Sequence, residues 1–585
     1  MAIASHRTYI KAKIESHRQH IRSMSDSSVL LRLFIVPVVR SLFVVVLALS
    51  GTLATYVLSV LVMHRIAAYR SPLRDLPGPE NAHWFKGNFV DVPEPDSGHL
   101  QEEWVQKYGH VLKFHYALAA PTLLTVDPVA VSYVLQNTDT FQKTDFLRFH
   151  LGALAGNGLA LVEGTQHKKQ RRVMNPAFGL AQVRRFTSLF LEKSLQLREI
   201  WGNLLSGSTR KDGKVGLDAL MWLNKATLDI VGLAGFNYSF DSLHSPDEEQ
   251  SDLYWAVRAI LEPTRDFSFI LQLFFPFFRF IPTHRSRTLN RALKEIRRVG
   301  SQLIQEKKTA VLAENDANGS SAVGKQDVQG HDLLSLLIKS NIAVDKPESM
   351  RMSDTEIVSQ IPTFLLAGHE TTSVAIAWTL FALGLHPAVQ AKLRAELRTC
   401  PTDFPSMDQL NALPYLESVV REALRLYPPV FSTSRVAMCD AAIPLQKPFT
   451  DKHGNLQSTI RVSKGDWVNI PICLLNRSTA IWGDDANEFR PERWEYVPEM
   501  ANGLPSVYGH LVTFIAGAHA CIGFRFSVMQ IKTLIFTLVR AFEFEMARPA
   551  EDIIRSTDVV SRPVIVSNPA AGPQLPMLIR LANLD

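Results

Sequence analysis

Cysteine is scarce in this chain. Only Cys400, Cys439, Cys473 and Cys521 occur in 585 residues, and no two form a C-x-x-C pair. Spacing therefore offers no zinc site and no redox dithiol. Four cysteines in so long a chain do not make a disulfide scaffold, so a reducing compartment is expected for the folded part. A dominant charge sign is also missing. Sixty-two Lys and Arg against 56 Asp and Glu leave +6. That balance suits a membrane surface or an acidic protein partner, and it is too diffuse to point to nucleic acid. There is no internal repeat and no low-complexity tract. With 46% hydrophobic and 20% charged residues, disorder is excluded as the general state. The length exceeds one core of ordinary size, so one large domain with extras, or two domains, is expected.

Charge is locally absent as well. Residues 41–63, Ser41 to Met63, carry none, and at ~1.5 Å per residue they reach roughly 35 Å, enough to cross a bilayer as a helix. Arg65, Arg70 and Arg74 follow, with no small-residue cleavage site. The expectation is a retained transmembrane anchor, with an internal core helix as the alternative. Residues 1–40 read as a basic polar extension (Arg7, Lys11, Lys13, Arg18, Arg22). Its acid-poor start also fits a mitochondrial address. Positive residues flank both ends of the span and leave orientation open. Residues 64–83 read as a basic, proline-rich hinge around Leu76-Pro77-Gly78-Pro79, since proline fixes φ and stiffens the connection. Residues 84–585 then form one domain.

Within that domain, helical spacing dominates and strands are short. Alternation predicts strands at 111–116 and 123–126 after a turn at Tyr108-Gly109, and helices over 187–201 and 217–235. The stretch 267–281 is rich in phenylalanine, which fits core packing or the apolar mouth of a channel touching a bilayer. Residues 314–330 read as a polar loop. Ser353 and Glu356 make a capping box, opening a helix that Gly384 and Pro387 close near Leu385. Its middle is Ala367-Gly368-His369-Glu370-Thr371-Thr372. Glycine there costs about 1 kcal/mol, and threonine back-bonding bends helices; Pro362 adds a second cause of a kink. Residues 413–426 form another helix, stopped by Pro428-Pro429, with Glu422 and Arg425 on one face. The same spacing recurs at Glu15/Arg18, Glu262/Arg265, Glu295/Arg298, Glu348/Arg351 and Glu545/Arg548, so spacing alone does not single out Glu422.

The most informative stretch is Phe514-Ile-Ala-Gly517-Ala-His519-Ala-Cys521-Ile-Gly523. Free cysteines are mostly small buried hydrophobes. The other reading is an iron-binding thiolate, its pKa lowered at a helix N-terminus. In that reading Gly517 and Gly523 let backbone approach a flat cofactor, Phe514 packs beside the ligand, and His519 reaches a carboxylate.

That spacing resembles the haem-ligand loop of the cytochrome P450 family, and three further motifs follow the resemblance in order. Ala367, Gly368, Glu370 and Thr371 match the family's oxygen-activation motif, which implies a groove at Gly368, a Thr371 hydroxyl facing dioxygen and Glu370 in proton delivery. Glu422 and Arg425, with Arg493 of Phe489-Arg-Pro491-Glu-Arg493-Trp494, resemble the buried Glu-Arg-Arg triad, with Trp494 where phenylalanine is more usual. His167 and Arg171 resemble the W-x-x-x-R helix, with His167 in place of tryptophan. Together with Arg435 and His519 they are implied as haem-carboxylate contacts. The implied fold is mainly α with a small β-rich subdomain, haem b lying between the long central helix and the Cys521 loop. The implied reaction inserts one atom of dioxygen into a small apolar substrate. Its electrons come from a separate NADPH-dependent reductase, the length leaving no room for a flavin domain. The Pro77-Gly78-Pro79 hinge resembles microsomal members, implying an endoplasmic-reticulum anchor with the domain in the cytosol. Two alternatives stay open: a haem-thiolate isomerase or dehydratase that needs no external electrons, against which intact Glu370 and Thr371 argue, and a non-enzymatic membrane haem sensor, which would bind without turnover. Substrate specificity is expected from the 140–160 loop, the Phe-rich stretch and Val430–Thr433, none of which reads as a code.

Overall fold

The computed structural model describes residues 8–21, 36–84, 86–89, 97–116, 120–207, 212–245, 252–261, 272, 275–317, 332–342, 351–556 and 559–583. Helix α1 spans 8–21. The uncharged run lies within α2 (Val36–Arg70). Leu42, Phe43, Val44 and Leu58 on it are each more than half exposed, so it is an outlying helix and not a core one. It is long and apolar enough to cross a membrane. The expected hinge is not a free connection. Leu73 and Leu76 are buried in the main core, and the Pro77 carbonyl accepts from the Lys113 N–H at 2.8 Å. Gly78 has φ +152°, and a Cβ there would lie 2.0 Å from the Lys113 carbonyl oxygen. The apolar residues between the prolines dock this stretch onto the domain.

After α3 (Ser97–Tyr108) the chain builds β1 (Val111–His115) and β2 (Pro121–Thr125), then α4 (Pro128–Gln136) and β3 (Phe141–Lys143). The 140–160 stretch, expected as a loop, is β3 followed by α5 (Asp145–Ala155), because the Thr144 side chain caps the Leu147 N–H. Next come α6 (Gly164–Met174), α7 (Leu180–Ser206), β4 (Val215–Asp218) and α8 (Ala219–Phe236). Helices α9 (Asp252–Leu261), α10 (His284–Ala317) and α11 (Leu333–Ile342) follow. Residues 314–317 therefore end a helix, while 318–330 of the expected loop lie outside the described residues. Phe267, Phe269 and Phe274 also lie outside them. Phe275 is buried in keeping with core packing, whereas Phe277 and Phe280 are exposed.

The central helix α12 runs from Asp354 to Leu385. Ser353 and Glu356 form its capping box, a turn at Ser359 interrupts it three residues before Pro362, and a π-turn spans Leu366–Glu370. Helix α13 (Pro387–Arg398) and α14 (Pro414–Leu426) follow. Strands β5 (Thr433–Ala437), β6 (Ala441–Thr450), β7 (Leu456–Val462) and β8 (Trp467–Ile470) precede the cysteine loop, and α15 (Phe524–Ala541) follows it. The chain closes with β9 (Phe542–Met546), β10 (Ile553–Arg555), β11 (Pro563–Ile565) and β12 (Pro576–Leu581). The largest sheet has the order β1-β2-β8-β5-β3. Its β3–β5 register sets Lys143 opposite Arg435. The helical core seats α15 on α7 through Phe526 and Phe190, ring centroids 4.7 Å apart. Trp378 of α12 stacks on Tyr427 at 5.1 Å. The architecture is mainly helical with small sheets, as the sequence predicts.

Candidate active site

Around Ala367-Gly368-His369-Glu370-Thr371 the central helix widens into its π-turn, a device that recurs at functional sites because it opens the backbone ladder. Thr371 Oγ1 donates to the Ala367 carbonyl at 2.6 Å, satisfying part of the loosened backbone. Ala367 keeps an exposed surface although Phe364, Leu365, His369 and Glu370 around it are buried. The groove expected at Gly368 is occupied by helix packing. A Cβ there would sit 3.1 Å from Val231 Cγ2 of α8, so the glycine serves close contact with α8, and Ala367 is the motif's open residue. Glu370 is paired with Arg562, just before β11. His369 is buried, and its imidazole pKa is pushed down to about 4, first by burial and further by Arg562.

The cysteine loop approaches from the other side. Thr372 Oγ1 lies 3.0 Å from Ser527 Oγ of α15, which ties the two segments together. The Cys521 N–H donates to the Phe514 carbonyl at 2.9 Å, closing the loop, and Phe514 packs on Tyr508 and Phe524. Ile515 (φ +54°) and Gly517 (φ +73°) give it a left-handed turn. Gly517 serves the protein itself: a Cβ there would lie 2.5 Å from the Leu135 carbonyl oxygen of α4. A Cβ on Gly523 would meet only Phe178, at 3.8 Å. Cys521 retains an exposed surface while burial pushes its thiol pKa up, against the pull of the Gly523 N–H and Arg171. Burial outweighs the Gly523 N–H and the Arg171 charge as long as no metal is bound, and a metal that binds the thiol displaces its proton.

A cluster of cations borders the loop. Arg171 donates to the Ala520 carbonyl and to Asn175 Oδ1. His167 and His519 lie ring against ring, centroids 4.1 Å apart. His519 pairs with the protein's own Glu163 carboxylate at 2.9 Å. Lys143 Nζ lies 3.0 Å from the same Glu163. Across the β3–β5 register, Arg435 is buried and hydrogen-bonds Thr433 Oγ1 and the Ser434 carbonyl; no carboxylate pairs with it among the described residues. The Glu163 carboxyl pKa is lowered to about 2: hydrogen bonds from His519 and Lys143 and their charge outweigh burial. His167 is pushed down to about 3, chiefly by burial. Lys143, Arg171 and Arg435 converge on this side of the loop, where Glu163 pairs with Lys143 and His519. Lys143 and Arg435 are buried, buried cations require counter-charge, and a haem's two carboxylates would supply it. The thiol, the open Ala367 surface and this cluster fit the haem implied by the resemblance. Lys143 and Glu163 escaped the sequence reading. Glu163, directly before the Gly164 that starts α6, was a weak local signal, whereas Lys143 had none.

The triad assembles at the core end of α14. Arg425 Nε and Nη2 reach the two Glu422 oxygens at 2.9 and 2.8 Å, and Arg493 Nε reaches Glu422 at 3.4 Å. All three residues are buried. Trp494, the departure from the family pattern, donates Nε1–H to Glu422 at 3.1 Å, a bond phenylalanine cannot make. Of the look-alike pairs, Glu295–Arg298 is an ion pair with its arginine exposed, while Glu545 and Arg548 bind Lys214 and Asp552 instead. Burial separates the triad from these pairs, while Glu262, Arg265 and Glu348 lie outside the described residues.

Comparison with known proteins agrees with this geometry. The family model described as Cytochrome P450 matches residues 77–564. Cytochrome P450 monooxygenase 205 of Postia placenta is 48% identical over 514 residues, covering 87% of this chain and 93% of that protein. Cytochrome P450 monooxygenase 128 of the same fungus is 47% identical, over 88% of this chain and 93% of its own. Cytochrome P450 monooxygenase claQ of Ampulloclitocybe clavipes is 33% identical, over 87% and 93%.

Proposed function

The chain belongs to the cytochrome P450 family and is a haem-iron monooxygenase, and from that premise we propose that it oxidises a small apolar substrate with electrons from a separate NADPH-dependent reductase. In this reading Cys521 would ligate the iron of a bound haem b. Lys143, Arg171 and Arg435 hold the haem carboxylates, with His167 and His519 packed beside them. Bound there, the haem supplies the iron that activates dioxygen, and thiolate ligation favours O–O cleavage. Thr371 Oγ1 holds its proton on the Ala367 carbonyl, beside the open Ala367 surface. Glu370 is the acid that resupplies it. Glu422, Arg425 and Arg493 keep the loop-side core in shape. The phenylalanines around Phe275–Phe280 and the Val430–Thr433 segment favour an apolar substrate.

The observation that carries this reading is the convergence of three cations, buried Lys143 and Arg435 and half-buried Arg171, beside the Cys521 loop. The test is the reduced carbon monoxide complex. Cys521→Ser should abolish its red-shifted Soret band, and a band that survives the substitution overturns the assignment.

Exposed Lys168 and Arg172, one turn apart on α6, supply positive charge for an acidic electron donor. For location, α2 is proposed as a single-pass anchor in the endoplasmic reticulum, followed by the domain from about residue 71 in the cytosol. Alkaline carbonate should leave the full chain in the membrane pellet and release a chain lacking residues 1–63.

A further inference from the structure

Helix α1 precedes the apolar helix α2, and every residue from 8 to 21 is exposed. At about 100° of turn per residue, Ile10, Ile14 and Ile21 fall within roughly 40° of one another, with His17 at the edge of their stripe. All three isoleucines are exposed. Cations border the stripe on both sides. Lys13 stands about 80° from its centre in one direction, and Arg18 and Lys11 about 60° and 80° in the other. Lys13 Nζ lies 6.0 Å from the centroid of the exposed Tyr9 ring. Ala12, Ser16 and Gln19 fill the opposite face, and Glu15 is the one acid among these residues. A helix of this length is marginal in water without a partner for its apolar side. Residues 8–21 bury none of theirs against the chain.

We propose that α1 is an interfacial helix that lays Ile10, Ile14 and Ile21 into an anionic bilayer surface while Lys11, Lys13 and Arg18 reach the lipid phosphates along its edges. This rests on the reading of α2 as a membrane anchor. An apolar stripe between cationic borders is the pattern of a helix lying in the plane of the interface. Long basic side chains there keep their stems on the apolar layer and their charged ends at the headgroups. Both borders of the stripe are cationic, which suits a flat anionic surface better than a protein groove, whose walls would cover them. Three cations against one acid supply the charge complementarity, and each cation at an anionic surface adds about fivefold to partitioning. The helix is also placed to reach the bilayer. Fourteen residues separate Ile21 from Val36, where α2 begins, and they span at most roughly 50 Å. Because α2 crosses the membrane in this reading, α1 meets the leaflet on the side away from the catalytic domain. The chain then grips both surfaces of the bilayer, and α1 limits sliding and tilting of the anchor.

The test uses full-length, haem-loaded protein in nanodiscs of phosphatidylcholine, with or without about one-third phosphatidylserine, and reads hydrogen exchange in residues 8–21. Exchange should be about tenfold or more slower in the anionic discs at low salt. At about 1 M salt, where charges are screened within about 3 Å, that difference should vanish. Lys11→Gln, Lys13→Gln and Arg18→Gln together should bring exchange in anionic discs to the phosphatidylcholine rate. Ile10→Gln, Ile14→Gln and Ile21→Gln together should leave the segment unprotected in both. Glutamine matches lysine and arginine and exceeds isoleucine in helix propensity, so neither loss reflects a weaker helix. Equal wild-type exchange in the two kinds of disc overturns the proposal, as does wild-type protection in the isoleucine variant. Protection that grows with protein concentration in detergent alone identifies a second copy as the occupant and overturns it too. So does protein recovered from its native membrane without residues 8–21, which marks the segment as a removed address. Chain that fails to enter the discs refutes the α2 anchor and the proposal with it, whereas entry with unprotected α1 refutes the proposal alone.

Discussion

Glu422→Gln puts the buried triad to its strictest test. The two Glu422 oxygens accept from Arg425 Nη2 and Nε, Arg493 Nε, the Arg490 N–H and Trp494 Nε1, at 2.8 to 3.4 Å. Every one of those partners is a donor. The glutamine amide keeps the volume, removes the charge and turns one acceptor into a donor facing donors. Arg493 would still hold Asp485 at 2.6 Å. Arg425 would be left with the carbonyls of Asn476, Ala486 and Glu488, so its buried charge loses the one carboxylate that pairs with it among the described residues. Breaking such a pair costs about 3–5 kcal/mol, roughly 10²- to 10⁴-fold in the folded-to-unfolded ratio. Urea unfolding of the detergent-solubilised protein, followed by tryptophan fluorescence, measures the loss as a lower midpoint. Glu295→Gln is the control, since its partner Arg298 is exposed and no measurable change is expected. Trp494→Phe should fall between them at about 1–2 kcal/mol, one hydrogen bond to a charged acceptor being lost. Coincident midpoints for Glu422→Gln and Glu295→Gln would refute the reasoning.

Gly517→Ala should lower thermal stability by about 1–3 kcal/mol, because φ is +73° and the Leu135 carbonyl blocks the added methyl; Gly523→Ala, with only Phe178 nearby, should lose less, and equal melting temperatures would contradict this. Acid should destabilise the fold in two stages. The unfolded His167 imidazole binds protons below about 6.5, whereas the folded one resists to about 3, so its contribution is full above 6.5 and is lost as pH falls through that window. Glu163 contributes fully above its ordinary 4.5 and loses that contribution towards 2. Stability measured against pH should therefore fall from 6.5 downward, and Glu163→Gln should flatten the limb below 4.5; an unchanged limb would show that Glu163 is not the group responsible. Cys521→Ser, read by the carbon monoxide spectrum, tests the ligand itself.

Much of the scaffold was legible because its signals are local. The capping box at Ser353 and Glu356, the stop at Gly384 and Pro387, and the Pro428-Pro429 end of α14 depend on neighbours within a turn or two. The structure reproduces each of them. The 140–160 stretch departs from the expected loop because the Thr144 side chain caps a helix there. The Leu76-Pro77-Gly78-Pro79 stretch was misread as a hinge because its prolines outweighed Leu73 and Leu76, whose burial depends on a strand some 35 residues further on.

Motif spacing in the sequence determined the family, the ligand cysteine to test and the helix that carries Thr371, since residues at fixed intervals share a face whatever surrounds them. Tertiary structure alone decided which charges meet. Lys143 and Arg435 face each other because two distant strands pair in one register. Glu163 draws His519 and Lys143 together, and Arg562 captures Glu370 from a hairpin nearly two hundred residues away. Gly368 and Gly517 likewise proved to serve helix packing and a carbonyl contact. Burial and close approach set the cost of a charge or a methyl group, and both are properties of the assembled core, which no local spacing encodes.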